Sequence, residues 1–339
     1  MKEILKKLVS LDGVAGFEDE VRDYIESEIK DHVDEMFTDS LGNLYAFKKG
    51  KKSGKKLLVC AHMDEVGFLV HRITDDGMLK ITRVGGIDPR VLIGRRMKVG
   101  FEKIKGVISI KAIHLTTPES RKTAPGLDSL YIDIGASSKK EAEKYVRCGD
   151  PVYFDSDYVE FGDNRIKAKA IDDRIGCAIM VDIIKGDIDY DCWFAFTVQE
   201  EIGLRGARVV GNRINPDICM VLEGTTAADL PNVEPHKQAS IQGKGPAISL
   251  IDGGTIHNRE LREVLLKKAD EKGIKWHYRF TGTGGNDMGA VHTAKEGCIG
   301  FGVSAPTRYI HSAANVLYWP DALEMEKMAK LFISEAGNM

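Results

Sequence analysis

The 339 residues predict an α/β protein: a mostly parallel sheet flanked by helices, into which a small β-barrel or sandwich is inserted. Two observations carry the prediction. Apolar runs of strand length, at 56–61, 192–197 and 218–222, alternate with segments whose apolar residues recur at helical spacing, the texture of a parallel sheet covered on both faces. Between about residues 67 and 163 the texture changes to short β-rich segments (GFLVHRI, MLKITRV, IKGVISIKAI, LYIDIG) divided by Gly, Pro, Asp and Lys. The expected division is one domain from 1–67 and 164–339, with 68–163 inserted into it.

In chain order, Ile4, Leu5, Leu8 and Val9, then Val21, Tyr24, Ile25 and Ile29, lie on either side of a Gly13/Gly16 break, so two helices open the chain. Segments 44–48 and 56–61 follow as strands, the second buried on both faces and ending at His62. The basic run between them (KKGKKSGKK, 48–56) is broken by Gly50, Ser53 and Gly54 and predicts a solvated hairpin tip. Beyond the insertion a helix is expected over 174–184, then a buried strand over 192–197 that runs into Gln199-Glu200-Glu201. Further strands are expected at 218–222, 248–250, 276–280 and 300–303, and helices at 258–272 and 321–336.

Hydrophobic residues make up 43% and charged residues 29%, enough apolar matter to bury a real core. A net charge of −3 with scattered basic residues lacks the footprint of a nucleic-acid binder. No apolar stretch approaches membrane-spanning length, and the amino-terminal segment carries acids and lacks the apolar centre of a signal peptide. The cysteines (Cys60, Cys148, Cys177, Cys192, Cys219, Cys298) form no C-x-x-C pair and mostly sit in apolar stretches, so they read as reduced thiols in a cytoplasmic setting.

Five short motifs put metal-capable side chains beside strand ends or in loops. In His62-Met63-Asp64, alternate residues of an extended segment face the same way, so the Asp64 carboxylate is positioned to accept the proton of the imidazole nitrogen that faces away from a metal. Asp172 and Asp173 precede an apolar helix; one suits a bridge between two cations, and Asp173, inside the turn, suits capping. Glu200 and Glu201 follow a buried strand directly, and adjacent buried acids repel unless a cation or a shared proton relieves them. Glu223 ends the run DICMVL, and His311 sits in the loop after Pro306. Singly, each has a bland structural reading; together they form a mixed N/O ligand set suited to two divalent ions such as zinc or cobalt.

The series HMDEVG (62–67), DDRIG (172–176), QEEIGLRGA (199–207) and PTRYIHS (306–312) closely resembles the M42 family of metalloaminopeptidases, a group that includes tetrahedral aminopeptidases and proteins labelled glutamyl aminopeptidase or endoglucanase. The resemblance runs over nearly the whole chain. It implies a zinc-peptidase-like fold in which His62, Asp172 and Glu223 bind one metal and Asp172, Glu201 and His311 the other, with Glu200 as general base and Asp64 behind His62. The family often carries Asp where Glu223 stands. The resemblance further implies that 68–163 is a dimerisation domain, that dimers build a tetrahedral dodecamer, and that short peptides lose their first residue to water activated at the metal pair. A loop over 282–287 (GTGGND) resembles one that the family keeps near its active site. Two other chemistries compete. A glycosidase needs two carboxylates, which Glu200 and Glu223 supply, but leaves both histidines idle; a two-metal deacylase or dipeptidase would use the same centre on another amide.

Overall fold

The computed structural model describes residues 1–280 and 284–339. Two helices, α1 (Lys2–Leu8) and α2 (Asp19–Ile29), lead into β1 (Glu35–Thr38), β2 (Leu44–Lys48) and β3 (Lys52–His62). Next come β4 (Gly67–Ile73), β5 (Leu79–Val84), β6 (Arg96–Val99), β7 (Ile104–Ile110), β8 (Leu130–Asp133), the short α3 (Lys139–Ala142) and β9 (Pro151–Phe154). The chain continues through β10 (Val159–Phe161), β11 (Arg165–Ala168), α4 (Ile171–Lys185), β12 (Tyr190–Thr197), α5 (Arg205–Ile214), β13 (Ile218–Thr226) and β14 (Ala247–Ile248). It closes with α6 (Arg259–Glu271), β15 (His277–Tyr278), α7 (Met288–Val291), β16 (Ile299–Arg308), β17 (Asn315–Tyr318) and α8 (Trp319–Ala336).

Eleven of these strands form one sheet, whose main path runs β1-β2-β12-β3-β13-β16-β17-β11-β10. Its centre, β12-β3-β13-β16, is parallel, while β2, β17, β11 and β10 flank it antiparallel. The expected parallel sheet is therefore the middle of a mixed one. Alternation along β3 explains the layering: Leu57, Val59 and Ala61 face a core built with α1, α2, α4, α6 and α8, whereas Leu58 and Cys60 face another built with α5 and α7. Each such buried aliphatic side chain contributes roughly 1.5–3 kcal/mol. Helix α4 is buried along nearly its whole length, packed against β3 and β13 and covered by α1, α2 and α8.

Strands β4-β5-β8-β7-β6-β9 close into a barrel with its own core of Phe68, Val70, Leu79, Met97, Ile108, Ile132 and Phe154. Two expectations change here. Val159–Phe161, expected within the insertion, pairs with β11 in the large sheet, so the barrel strands end at Phe154. The basic run is solvated but caps no hairpin, because β12 lies between β2 and β3 and β3 already begins at Lys52. All six cysteines are free; Cys148 is exposed, and Cys60, Cys177, Cys192 and Cys219 are buried. Among the described residues no helix is long and apolar enough to cross a membrane.

A buried ion network joins barrel to sheet. Asp12, in the loop between α1 and α2, accepts from Lys98 of β6 (2.9 Å), Lys103 of the following turn (3.0 Å) and Lys169 beside α4 (3.0 Å). Lys169 also meets Glu65 at 2.5 Å, and Asp12, Glu65 and Lys169 are each at most 2% exposed. Burial would raise the Asp12 carboxyl, but the ammonium groups of Lys169, Lys98 and Lys103 outweigh it and hold the group well below the usual carboxylate range. Its contribution to stability is complete above the ordinary carboxylate pKa of about 4 and fades as pH falls below it. Asp12→Asn is expected to lose on the order of 3 kcal/mol at neutral pH, because Lys98, Lys103 and Lys169 lose the carboxylate they share. Denaturant midpoints should also decline less steeply in the variant than in the parent as pH drops from about 5 towards 2; equal acid slopes would refute the role of Asp12.

Candidate active site

The site forms where the central parallel strands part. Pairing between β3 and β13 ends at Cys60–Val221, two residues short of His62 and Glu223, so both side chains emerge into a crevice at the carboxyl edge of the sheet. On the other side of β3, pairing with β12 continues to His62–Thr197, and the chain then turns to deliver Glu200 and Glu201. Helix α4 brings Asp172 in from below. Strand β13 itself runs on to Thr226, so Glu223 lies within it rather than at its end. His311 comes from the turn between β16 and β17, with φ of +57°.

These residues converge. His62 Nε2 lies 3.3 Å from Asp172 Oδ1 and 3.2 Å from Glu223 Oε1. His311 Nε2 lies 3.4 Å from Asp172 Oδ2 and 3.5 Å from Glu201 Oε2. Asp172 thus turns one oxygen to each imidazole. Asp172 Oδ1 and Glu223 Oε2 are buried without a hydrogen-bond partner of good geometry among the described residues. Ligand-capable atoms of His62, Asp172 and Glu201 lie within 4.8 Å of one another, and so do those of His62, Asp173 and Glu223. Asp173 is nonetheless committed elsewhere: its Oδ2 accepts from the His62 amide and its Oδ1 from the Gly176 amide, both at 3.1 Å.

Asp64 differs from the sequence expectation. The nearer partner of His62 Nδ1 is the main-chain carbonyl of Asp64 at 3.0 Å, with the carboxylate at 3.5 Å. The carboxylate is drawn away because Oδ1 accepts the amide of Glu200 (3.0 Å) and Oδ2 that of Glu201 (3.1 Å). Either way, Nδ1 carries the proton and Nε2 turns its lone pair to two carboxylates, an arrangement that needs a cation or a second proton.

The electrostatics report the same need. Burial pushes the Glu200 and Glu223 carboxyls well above the ordinary range and Glu201 up to about 7. Burial would depress His62, but Glu223, Asp172 and Asp64 outweigh it and hold the imidazole well above its usual value. His311 rises to about 9 against its burial, through Asp172 and Glu201. Oxygen-rich, partly imidazole, buried and short of positive charge, the set fits divalent cations.

Several supporting residues received no role from the sequence. Arg174, fully buried, donates from Nε to Met63 O (2.7 Å) and from Nη1 to Leu8 O (2.6 Å), fixing the segment that carries His62. Thr197 donates to Asp287 Oδ2 at 2.5 Å, and burial lifts that carboxyl to about 6. Asp287 belongs to the loop expected near the site, of which Gly282 and Thr283 lie outside the described residues. Gly85 (φ +87°) lets a loop of the barrel reach the site: a Cβ there would stand 3.4 Å from Glu201 Oε2 and 2.7 Å from Val66. The acids of a broader cleft on the barrel are taken up instead, Asp155 and Asp157 pairing with Arg96 and Lys105.

Gly224 touches the ligand set directly. A Cβ there would fall 2.8 Å from Asp172 Cβ and 2.9 Å from Asp172 Oδ1. Gly224→Ala is expected to displace Asp172 and weaken zinc binding about 10–100-fold, as read by calorimetry, while the circular dichroism spectrum is retained. Parental zinc affinity in the variant would refute the close fit.

A family model described as M42 glutamyl aminopeptidase matches residues 42–328. A putative aminopeptidase of Acetivibrio thermocellus is 41% identical over 314 residues, covering 92% of each chain. Among solved structures, an aminopeptidase of the archaeon Desulfurococcus kamchatkensis superposes with a TM-score of 0.93 at 37% identity, covering 98% of this chain and 94% of that one. The TET1 peptidase of Pyrococcus horikoshii, which assembles into a tetrahedron or a large octahedral shell, gives 0.88 at 32%, covering 98% and 99%. With the matched model spanning most of the sequence, the chain belongs to the M42 glutamyl aminopeptidase family.

Proposed function

We propose that the protein is a dinuclear-metal aminopeptidase that removes amino-terminal residues from short peptides, with Glu200 as general base. The observation that carries this reading is Asp172, whose two oxygens face two different imidazoles at 3.3 and 3.4 Å. His62, Asp172 and Glu223 would hold one ion, and Asp172, Glu201 and His311 the other; zinc and cobalt both suit the donors. When bound, the pair supplies Lewis acidity that polarises the scissile carbonyl and acidifies water.

The chain's own residues do the rest. Glu200 takes the proton of the attacking water and hands it to the departing amine, a task suited to a carboxylate whose pKa burial has raised well above the ordinary range. Asp64 holds the Glu200 and Glu201 amides, so base and ligand keep a common frame. The His62 Nδ1–H to Asp64 carbonyl bond presents Nε2 to the centre. A crevice rimmed by carboxylates suits the free ammonium of a peptide's first residue. The TET1 peptidase's assembly supports a homo-oligomer here, for which the family resemblance implies the barrel as dimerisation domain and a dodecamer as the particle.

Glu200→Gln is expected to bind two zinc or cobalt ions per chain, as the parent does, and to lose about 10²–10⁴-fold in kcat on aminoacyl p-nitroanilides. A chelator should abolish the parent's activity and either metal restore it. Turnover by the metal-loaded variant at the parental rate, or hydrolysis of N-acylated amino acids in preference to free amino termini, would overturn the reading.

A further inference from the structure

The turn that carries Glu200 and Glu201 begins with a residue in an unfavourable conformation. Gln199 has φ of +56°, the left-handed region that L-residues other than Asn and Asp seldom enter. The carbonyls of Val198 and Gln199 accept the amides of Gly206 (3.0 Å) and Arg205 (3.2 Å) nearby, but the first amides past the end of β12 have no strand partner. They are held instead by side chains from the first 64 residues. The Val198 amide donates to Asn43 Oδ1 (3.0 Å), that of Gln199 to Glu18 Oε1 (3.1 Å), and those of Glu200 and Glu201 to Asp64 Oδ1 (3.0 Å) and Oδ2 (3.1 Å). Four consecutive amides are thus captured by three buried side chains, Asn43, Glu18 and Asp64, at most 5% exposed.

Glu18 is the member with least local reason to be there. It stands at the amino-terminal cap of α2, yet makes no capping bond to its own helix. Its carboxylate turns away, takes the Gly16 amide at 2.7 Å, and crosses to Gln199. Burying a carboxylate beside Asp64 is costly, and the amides of Gly16 and Gln199 are what offset that cost.

We infer that Glu18 is a positioning residue for hydrolysis: by holding the Gln199 amide it fixes the left-handed turn that aims Glu200. The inference rests on the assignment of Glu200 as the base. What matters is an acceptor at the right reach, because Oε1 takes both amides, and a neutral amide oxygen accepts them as a carboxylate does. Glu18→Gln preserves that acceptor and removes the charge. Glu18→Asp preserves the charge and offers a better N-cap, but falls one methylene short of Gln199.

The test compares Glu18→Gln, Glu18→Asp, Glu18→Ala and Glu200→Gln with the full-length parent, each loaded with zinc, by metal stoichiometry, thermal midpoint, kcat and KM on one aminoacyl p-nitroanilide. Expected are parental metal content in all, a fall in kcat of up to about 100-fold with KM little changed in Glu18→Asp and Glu18→Ala, and recovery to near the parental kcat in Glu18→Gln. Parental kcat in Glu18→Asp overturns the inference. So does a Glu18→Gln variant as impaired as Glu18→Ala, or a loss of kcat that merely tracks lost metal. Should Glu18→Ala fail to fold, the Asp and Gln variants decide. Parental turnover by Glu200→Gln would overturn the base assignment and this inference with it, whereas an inactive Glu200→Gln beside an unimpaired Glu18→Asp overturns this inference alone.

Discussion

One carboxylate between two imidazoles is the constraint around which the rest of the molecule is arranged. Asp172 can serve two partners only if His62 and His311 arrive from opposite sides at matched distances, and they come from chain segments some 250 residues apart in a chain of 339. The parallel register of β12, β3 and β13 sets the level of His62 relative to Glu200, Glu201 and Glu223. Helix α4 lifts Asp172 to that level, and the β16–β17 turn swings His311 over it. The glycine beside Asp172 and the one beside Glu201 mark the places where no further atom fits.

Crowding acids in this way is unfavourable for a folded chain. Asp64, Asp172, Asp173, Glu200, Glu201, Glu223 and Asp287 are gathered around two imidazoles, and burial raises several of their pKa values well beyond the usual range. Four of these acids fall into two groups by how they are compensated. Asp64 and Asp173 accept main-chain amides, which satisfy their oxygens and give the backbone its shape. Asp172 and Glu223 keep oxygens without a hydrogen-bond partner of good geometry among the described residues, which is the state a cation relieves. The same centre is therefore both a source of chemistry and a charge defect that ligand binding would repair.

The ligand-capable residues were legible in the sequence because their chemistry is concentrated in short motifs beside buried apolar runs. His62, Asp172, Glu201, Glu223 and His311 all lie within one cluster. The layered architecture was legible for a related reason: a strand such as β3, apolar on both faces, can be satisfied only by helices on both sides. Strand order was not legible. Neither the passage of β12 between β2 and β3 nor the placement of β10 in the large sheet leaves a mark on local pattern, since both depend on pairings between distant segments. The roles of the supporting residues were hidden for the same reason. Asn43, Glu18 and Arg174 act on main-chain atoms of other segments, and an acceptor for an amide 181 residues away has no periodicity or spacing to betray it.

Left-handed backbone recurs around the centre: Ala170 two residues before Asp172, Gln199 just before Glu200, Leu204 at the head of α5, and Tyr309 and His311 in the last turn. Each costs roughly 1–2 kcal/mol relative to ordinary backbone, so an appreciable share of a typical domain's stability is committed in the few residues that aim the site. Glycine at such a position relieves the strain but also frees the turn, so thermostability and turnover pull in opposite directions there. A lineage adapting to heat would gain most safely in the barrel and the outer helices, leaving these few torsions as the slowest-changing part of the backbone.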